Sequence, residues 1–222
     1  MSERTAKVYV YVVARDFGFA PNPFHGVCTL ATCKPEIRRV AQVGDRVIGM
    51  GGTALGTVGR CVYAMEVTST MTFDEYWADP EFRCKRPVRN GSLKVMVGDN
   101  IYHQEGDGDG ASWRQEDSHH SRSDGSPDAV NLRTDTRTDR VLISSRFVYF
   151  GQSAPVVPTH LLEEMDYRNV RNHRTYRARD CGGLLEWLDS ESRGGSVGVL
   201  DDPHQFEHGG ARYSGERKRV LR

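Results

Sequence analysis

The sequence predicts an α+β domain built on a small curved mixed sheet or a small β-barrel, with short peripheral helices and a long polar loop insertion. Several short segments are rich in β-branched and aromatic residues, as strands are. The helical segments are too short and too few to alternate with the strands of a doubly wound parallel sheet. With 222 residues, 23 of them glycine and 9 proline, the chain can bury a sizeable core and is rich in loops.

The first strand is predicted at residues 7–15, where nearly every residue is β-branched or aromatic. Residues 16–24 form a loop, because Gly18, Pro21 and Pro23 interrupt them. Further strands are predicted at residues 27–32, within 43–52, at 60–68 and at 140–151.

Short helices are predicted between and after these strands. They lie at residues 33–40 with Pro35 in the first turn, at 72–77 with a Thr72/Glu75 capping box, at 158–165 and at 183–188. Residues 85–138 form a long polar stretch, which is typical of a functional loop or of disorder. We predict one domain over residues 1–180, followed by a C-terminal helix and a frayed basic tail over residues 181–222.

Composition excludes several classes of protein. No stretch approaches the length of a membrane-spanning helix and the start has no apolar signal segment, so a cytoplasmic protein is expected. The 5 cysteines are scattered and odd in number, unlike a disulfide framework. Cys28 and Cys33 would point to opposite faces of a strand, so no metal site is predicted from them. No cofactor is predicted either, because the glycine run at residues 49–52 has neither the Lys-Ser/Thr of a P-loop nor the spacing of a dinucleotide-binding motif. The net charge of +0 neither attracts nor repels nucleic acid.

Two clusters of polar residues are the candidates for chemistry. They are Asp99, Asn100, Tyr102 and His103, and Asp117, Ser118, His119 and His120. Imidazole titrates near neutrality and a carboxylate can fix its tautomer, so general acid and base catalysis is one interpretation. The alternatives are a divalent metal site, a site for a polar ligand, and hydrogen bonds that only organise a long loop.

The predicted catalytic roles fall on five of these residues. His103, His119 or His120 would act as the general base, and Asp99 or Asp117 would orient the imidazole. Adjacent side chains on an extended segment point to opposite sides. We therefore expect only one of His119 and His120 to face the pocket.

The loop at residues 16–24 could hold a base that is splayed out of a nucleic acid. Stacking on aromatic rings accepts any base, while amide and carboxylate groups read the base edge. The predicted ligand-binding residues are Asp16, Phe17, Asn22, Phe24, Asn100, Tyr102 and Trp113. In the alternative interpretation, the three phenylalanines of the loop plug the end of a barrel.

Residues 168–179 are rich in arginine with interleaved aromatic residues. Arg171, Arg174 and Arg177 are predicted to contact a nucleic-acid backbone, for which this composition is suited. A solvated face, neutralised by the acidic residues just upstream, is the alternative.

Several strings in combination resemble a known family. They are residues 16–24 (Asp-Phe-Gly-Phe-Ala-Pro-Asn-Pro-Phe), 29–35, Gly44-Asp45-x-Val47, 98–103, 117–121 and 147–151. Over roughly residues 7–180 the chain resembles the bacterial and phage family called nucleotide modification associated domain 2. That resemblance implies an association with DNA-base modification or anti-phage systems and assigns no reaction.

A second, looser resemblance concerns residues 43–67. This segment is similar to the central hairpin of PUA-like domains of the EVE and ASCH kind, which are small β-barrels that hold a modified base in an aromatic pocket. The opening strand departs from the EVE pattern, because Tyr9 and Tyr11 stand where tryptophan is usual. The resemblance implies that the barrel form of the predicted fold would be PUA-like.

Three functions are consistent with these features. The first is binding of a modified base or nucleotide in DNA, in a bacterial or phage modification or defence system. The second is an enzyme that acts on a nucleotide or base, a transferase or hydrolase with His/Asp acid-base catalysis. The third is an interaction module of a defence operon. The expected partners are DNA or a nucleotide, together with proteins of a modification or defence operon, and no membrane.

Overall fold

The computed structural model describes residues 4–106, 108, 111–170, 172–192 and 198–221. In this part of the chain the strands are β1 (Lys7–Val13), β2 (Cys28–Leu30), β3 (Arg46–Gly51), β4 (Cys61–Glu66), β5 (Ser69–Met71), β6 (Tyr102–Glu105), β7 (Ser112–Gln115), β8 (Val141–Ser144), β9 (Arg146–Tyr149), β10 (His173–Arg177), β11 (Gly198–Val199), β12 (Arg212–Ser214) and β13 (Arg219–Leu221). The α-helices are α1 (Pro35–Val40), α2 (Phe73–Ala78), α3 (Leu93–Met96), α4 (Ala129–Asp135), α5 (Thr159–Glu164) and α6 (Gly182–Glu191).

A mixed six-stranded sheet forms the centre of the fold, with the strand order β10-β1-β3-β4-β9-β11. β1 runs parallel to β3 and β9 runs parallel to β11, while the other neighbours are antiparallel. The prediction of an α+β fold on a mixed sheet is confirmed. The described strands close into no barrel, so the barrel expected from the PUA-like resemblance is not formed.

The sequence of β1 is almost continuously apolar, because both faces of this strand are buried. Val8, Tyr9, Val10 and Tyr11 are each at most 2% exposed. Buried parallel pairs have this pattern, whereas a half-exposed strand alternates apolar and polar residues. The strand ends at Val13, and the chain then turns into the loop that the glycine and prolines of residues 16–24 predict.

The strand pair β3 and β4 depends on a close approach at Gly49. A Cβ atom added there would lie 2.3 Å from the Tyr63 ring, so any larger residue would displace that ring. The register between the two strands also shifts beside Gly49. Glycine at this position thus lets the tyrosine pack into the core between the strands.

The long polar stretch at residues 85–138 is more regular than predicted. It contains α3, the hairpin β6-β7 and α4, each of four to seven residues. Three of its apolar residues are core positions, since Val97, Ile101 and Tyr102 are completely buried. Elements this short give little periodicity in the sequence and are stabilised by their tertiary contacts.

The predicted frayed tail is also incorrect. β12 and β13 form an antiparallel hairpin, which packs on the body of the protein. The main-chain N–H of Tyr213 donates to the carbonyl of His119, and the Asn131 amide donates to the carbonyl of Tyr213 at 2.8 Å. These bonds order a segment that is rich in charge, which sequence composition alone does not indicate. The predicted boundary at residue 180 stays a prediction.

None of the described helices has the length and apolarity that a membrane crossing requires.

Candidate functional site

A cavity of about 470 Å³ lies at the carboxyl end of β1, within the usual size range of ligand sites. Its wall is made by the end of β1 and the following loop, by the turn before α1, by the segment with His119 and His120, by α4, and by Tyr213 of the C-terminal hairpin. The polar and aromatic side chains that line it include Tyr11, Arg15, Phe17, Phe19, Cys33, Lys34, His119, His120, Asp135 and Tyr213.

The turn before α1 has an unusual backbone. Cys33 and Lys34 have φ angles of 57° and 41°, in the left-handed region, and Pro35 then begins the helix. This conformation costs on the order of 1–3 kcal/mol for residues other than glycine and concentrates at functional sites. The main-chain N–H of Cys33 donates to Oδ1 of Asp135 at 2.8 Å, which helps to hold the turn.

Cys33, His120 and Asp135 form a chain of hydrogen bonds along the cavity wall. Nε2 of His120 lies 3.7 Å from the Cys33 sulfur, and Nδ1 donates to Oδ2 of Asp135 at 2.8 Å. The histidine and the aspartate are at most 5% exposed, whereas the cysteine is half-buried. A nucleophile, a histidine and a carboxylate in this order have the arrangement of a catalytic triad.

The Asp135 carboxylate accepts three hydrogen bonds. Its Oδ1 accepts from the Cys33 N–H, and its Oδ2 accepts from His120 and from the Tyr102 hydroxyl at 2.9 Å. The buried Arg38 guanidinium donates to the main-chain carbonyl of the same residue at 2.5 Å. These donors fix the carboxylate, and the carboxylate fixes the imidazole.

The same three side chains carry donor atoms that a metal ion could bind. One ligand atom from each of Cys33, His120 and Asp135 can be chosen so that all three lie within 4.8 Å of one another. Nδ1 of His120 is hydrogen-bonded to Asp135, so this histidine could bind an ion only through Nε2, on the edge of the ring away from the carboxylate. The sulfur and Nε2 are then the two donors that face an ion together. A catalytic zinc takes three protein ligands and a structural zinc takes four. The donor set therefore fits a triad better than a metal.

The electrostatics give His120 a positive charge. Burial lowers the pKa of His120, but the Asp135 carboxylate and the Cys33 sulfur outweigh burial and raise it to about 10. Burial likewise would raise the pKa of Asp135, but the charge of His120 and its hydrogen bond hold that pKa below its usual range. At neutral pH the two residues form a buried ion pair beside the thiol.

His119 has the opposite protonation state. Burial and the charge of His120 lower the pKa of His119 to about 3, so its imidazole is neutral at pH 7. Its Nδ1 donates to the carbonyl of Ala211 at 2.6 Å, which leaves a lone pair on Nε2. The ring packs against Phe17 and Phe19, with centroid distances of 4.6 and 5.1 Å. One cavity thus holds an imidazolium as a proton donor and an imidazole as a proton acceptor.

The prediction that the two histidines point to opposite sides is wrong. Their ring centroids are 5.9 Å apart, and both rings line the same cavity. Residues 117–121 form a turn and not an extended segment, so the alternation of a strand does not apply. Hydrogen bonds from the Ser121 hydroxyl to the Glu116 carbonyl and from the Ser118 N–H to the Ser121 hydroxyl close this turn.

The opposite pKa shifts predict opposite effects of pH on stability. An unfolded histidine has a pKa near 6.5, whereas His119 in the native state has a pKa of about 3. As the pH falls from about 6.5 towards 3, the unfolded state therefore takes up a proton at His119 that the native state does not, and the native state loses stability. At pH 4 this loss is on the order of 3 kcal/mol. The stabilisation from charged His120 is complete below about pH 6.5 and is lost as the pH rises towards 10.

Melting temperatures between pH 4 and 10 measure these effects. His119→Gln is expected to flatten the acid limb of the profile, and His120→Gln is expected to flatten the alkaline limb. If the melting temperature changed with pH in the same way in the native protein and in both variants, at acid and at alkaline pH, the assigned protonation states would be wrong.

The first polar cluster does not reach the cavity as a group. Asp99 is fully buried and accepts hydrogen bonds from Thr29 at 2.7 Å and from Tyr76 at 2.9 Å. Burial raises the pKa of Asp99, and Lys85 acts in the opposite direction. The Asn100 amide donates to two main-chain carbonyls. These contacts hold the loop in place, as one of the alternative interpretations states.

Of the remaining residues of this cluster, only Tyr102 contributes to the site, through its bond to Asp135. His103 stacks on Trp77 at a centroid distance of 4.2 Å, and its Nε2 donates to Glu116. Trp113 packs edge-on against a core phenylalanine. Both of these side chains lie on the β6-β7 hairpin, away from the residues that line the cavity.

Asp117, from the second cluster, also lies outside the cavity lining. Its carboxylate accepts three hydrogen bonds from the Arg212 guanidinium, at 2.6, 2.7 and 3.3 Å. This ion pair joins the histidine turn to the C-terminal hairpin. Asp117 therefore supports the turn without contacting either imidazole in the described structure.

The loop at residues 16–24 contributes Phe17 to the cavity, and its other predicted residues have different contacts. Asp16 accepts from the Tyr149 hydroxyl and from His204. The remaining two predicted side chains are also engaged elsewhere: Asn22 donates to the carbonyl of Val97 and accepts from Lys85, and Phe24 packs on Phe206.

The arginine-rich segment forms an edge of the main sheet. Arg174 and Arg177 are exposed on β10, and Arg177 pairs with Asp180 at 2.6 Å. Arg171 lies outside the described residues. Contact of this edge with a nucleic-acid backbone stays a prediction.

Sequence reasoning missed Cys33 and Asp135 as partners of His120. Cys33 lies 87 residues before the histidine and Asp135 lies 15 residues after it, and no motif links them. The one available signal was a cysteine directly before Lys34-Pro35, within a string that supports the family resemblance. Asp135 had no signal, because it lies in a charged segment where acidic and basic residues alternate.

Comparison with known proteins gives one match. A model of the family described as nucleotide modification associated domain 2 matches residues 5–210. No curated protein and no solved structure matches the chain.

Proposed function

The chain belongs to the nucleotide modification associated domain 2 family, and we propose that it is an enzyme that acts on a base or nucleotide by nucleophilic catalysis at Cys33. Family membership places the protein in the context of nucleotide modification systems. It carries no statement about catalysis, so the proposal rests on the cavity.

The observation that carries the proposal is the alignment of Cys33, His120 and Asp135. The sulfur, the two imidazole nitrogens and the carboxylate follow one another at 3.7 and 2.8 Å. A thiol needs a neighbouring histidine to become an effective nucleophile, and the histidine needs a third group to hold its orientation. All three side chains line a cavity large enough for a ligand.

The chemistry that this arrangement supports is transfer of a group at an electrophilic carbon, such as an acyl carbon. In the first step the Cys33 thiolate forms a carbon–sulfur bond, and the leaving group departs with its electron pair and a proton from Nε2 of His120. In the second step water, or an amine or hydroxyl of the acceptor, attacks the same carbon. The carbon–sulfur bond then breaks and the acceptor gives up a proton.

His119 can take the proton of the acceptor in the second step. Its imidazole is neutral at pH 7, and its Nε2 carries the lone pair because Nδ1 donates to Ala211. His120 has lost its charge by this step, which removes one of the causes that lower the pKa of His119. The proton then passes from His119 to His120, and this restores the starting state. The pair would act as acid and base in sequence.

Binding of a modified base without catalysis is the second candidate function. It is favoured by the aromatic wall of the cavity, to which Phe17, Phe19 and Tyr213 belong. Stacking on such rings suits a base of any sequence. In this case Cys33 could be replaced without loss of function, and the protein would read a modification without making one.

The reactivity of the thiol tests the proposal directly. Cys84 is exposed and Cys33 is half-buried, so accessibility alone would make Cys84 the faster to react. We expect iodoacetamide to alkylate Cys33 at least about tenfold faster than Cys84 at pH 6.5, because only Cys33 has an imidazole nitrogen 3.7 Å from its sulfur to assist the attack. Peptide mass spectrometry over a time course gives both rates in one sample.

His120→Gln provides the matched variant for this measurement. It should slow the alkylation of Cys33 to the rate of Cys84 or below and leave Cys84 unchanged. If Cys84 reacts faster in the native protein and the variant does not alter the rate at Cys33, the thiol is not activated and the enzymatic proposal fails.

A further inference from the structure

Two basic side chains line the cavity without a carboxylate partner in the described part of the chain. Nζ of Lys34 lies 4.3 Å from the centroid of the Tyr11 ring, and the Arg15 guanidinium lies 4.8 Å from that of Tyr213. Among described residues, Lys34 donates no hydrogen bond through Nζ. Arg15 has one long hydrogen bond, to a main-chain carbonyl at 3.4 Å. Both cations therefore rest on aromatic faces and not on acids.

The charge around the cavity is unbalanced. Its lining contains one carboxylate, that of Asp135, and this group is already paired with His120. Lys34, which follows Cys33 in the chain, and Arg15, which lies over Tyr213, are left in excess in the lining. A half-buried ammonium loses hydration, and an aromatic face replaces only part of that loss. An anionic group on the ligand would supply the missing partner.

We propose that Lys34 binds the phosphate of the substrate and that Arg15 adds to the positive field, so that the cavity takes a phosphate-bearing nucleotide in preference to a free base or nucleoside. This inference rests on the proposed function, because it concerns the same cavity. The position of Lys34 next to Cys33 sets the phosphate near the reacting thiol. The rings of Phe17 and Phe19 are then the surface for the base.

The phosphate can belong to a free nucleotide or to a DNA strand, because both present the same group to an ammonium. The two sources differ in their response to salt. A strand that contacts several cations releases counterions, so its affinity falls steeply with salt, whereas a single phosphate gives a shallow dependence.

The test is a comparison of affinities by titration calorimetry with the full chain. The probes are the four common 2′-deoxynucleosides, their 5′-monophosphates, inorganic phosphate and a short single-stranded DNA. We expect at least one monophosphate or the DNA to bind at least about tenfold more tightly than the nucleosides, as a charge-assisted contact allows. Lys34→Gln should remove this preference and leave the affinity for the nucleosides unchanged.

Lys94→Gln is the matched control. Lys94 also lies over an aromatic ring, 5.7 Å from the centroid of Phe24, but it is exposed and outside the cavity lining. This variant should bind every probe as the native protein does. A melting temperature for each variant shows whether the fold is retained.

Three results would overturn the inference. The first is that the native protein binds nucleosides and monophosphates with equal affinity. The second is that Lys34→Gln lowers the affinity for every probe by the same factor. The third is that the native protein binds none of the probes. The two proposals can fail separately. If the protein binds its ligands without regard to phosphate but loses turnover as Cys33→Ser, this inference is wrong and the proposed function stands. If Lys34→Gln abolishes a phosphate preference but Cys33→Ser keeps full activity, the proposed function is wrong and this inference stands.

Discussion

Cys33→Ser is expected to lower turnover by at least about a thousandfold, because the hydroxyl of serine is a far weaker nucleophile than a thiolate. His120 makes this loss larger. Its imidazolium is already protonated at neutral pH, so it cannot accept a proton from a serine hydroxyl. Serine replaces the thiol with the smallest change in volume, and binding in the cavity should therefore be retained.

The measurement is made on DNA and on the free nucleotide pool of cells that express the full chain with its modification system. Both are digested to nucleosides and quantified by liquid chromatography and mass spectrometry. Cys84→Ser, at an exposed cysteine away from the cavity, is the control and should match the native protein. If Cys33→Ser produced the native nucleoside profile, binding without catalysis would be the better account.

Asp135→Asn is expected to lower the free energy of unfolding by about 3–5 kcal/mol, the usual cost of removing one partner from a buried ion pair. The carboxylate accepts from three donors, the Cys33 N–H at Oδ1 and the Tyr102 hydroxyl and Nδ1 of His120 at Oδ2, so the NH2 group of an amide would face at least one donor in either orientation. One oxygen is left to accept, and the imidazolium loses its counter-ion. Alkylation of Cys33 should slow for the same reason.

Urea unfolding compares this variant with Asp117→Asn. The Asp117 carboxylate also accepts from a charged partner, Arg212, but its side chain is 39% exposed. Solvent-exposed ion pairs contribute at most about 1 kcal/mol, so this control should change stability little. Similar small losses in the two variants would mean that Asp135 does not hold a charged histidine. Tyr102→Phe, which removes one of the hydrogen bonds, is the milder variant if Asp135→Asn does not fold.

Several elements were predicted correctly because their causes are local. Thr72 and Glu75 form the predicted capping box at the start of α2, with both reciprocal hydrogen bonds present. Pro35 stands in the first turn of α1. In each case the signal lies within four residues of the element that it predicts, so the sequence contains all the information needed.

The histidines show where local reasoning stopped being sufficient. The sequence identified His119 and His120 as candidates, since imidazole near a carboxylate is suited to acid-base chemistry. It also led to the expectation of opposite orientations and to Asp99 or Asp117 as partners. The turn at residues 117–121 and the burial of Asp99 among Thr29 and Tyr76 depend on contacts with distant segments.

By itself, the sequence determined the α+β class, the most apolar strands of the main sheet and the short helices that have capping signals at their ends. It also identified the two histidines as candidates for acid-base chemistry. Only the tertiary structure placed Cys33 and Asp135 beside His120 and left Lys34 without a carboxylate partner among the described residues. The physical reason is distance along the chain. Hydrogen bonds and burial join groups that are 15 to 87 residues apart, and the protonation state of each follows from that packing and not from its neighbours in sequence.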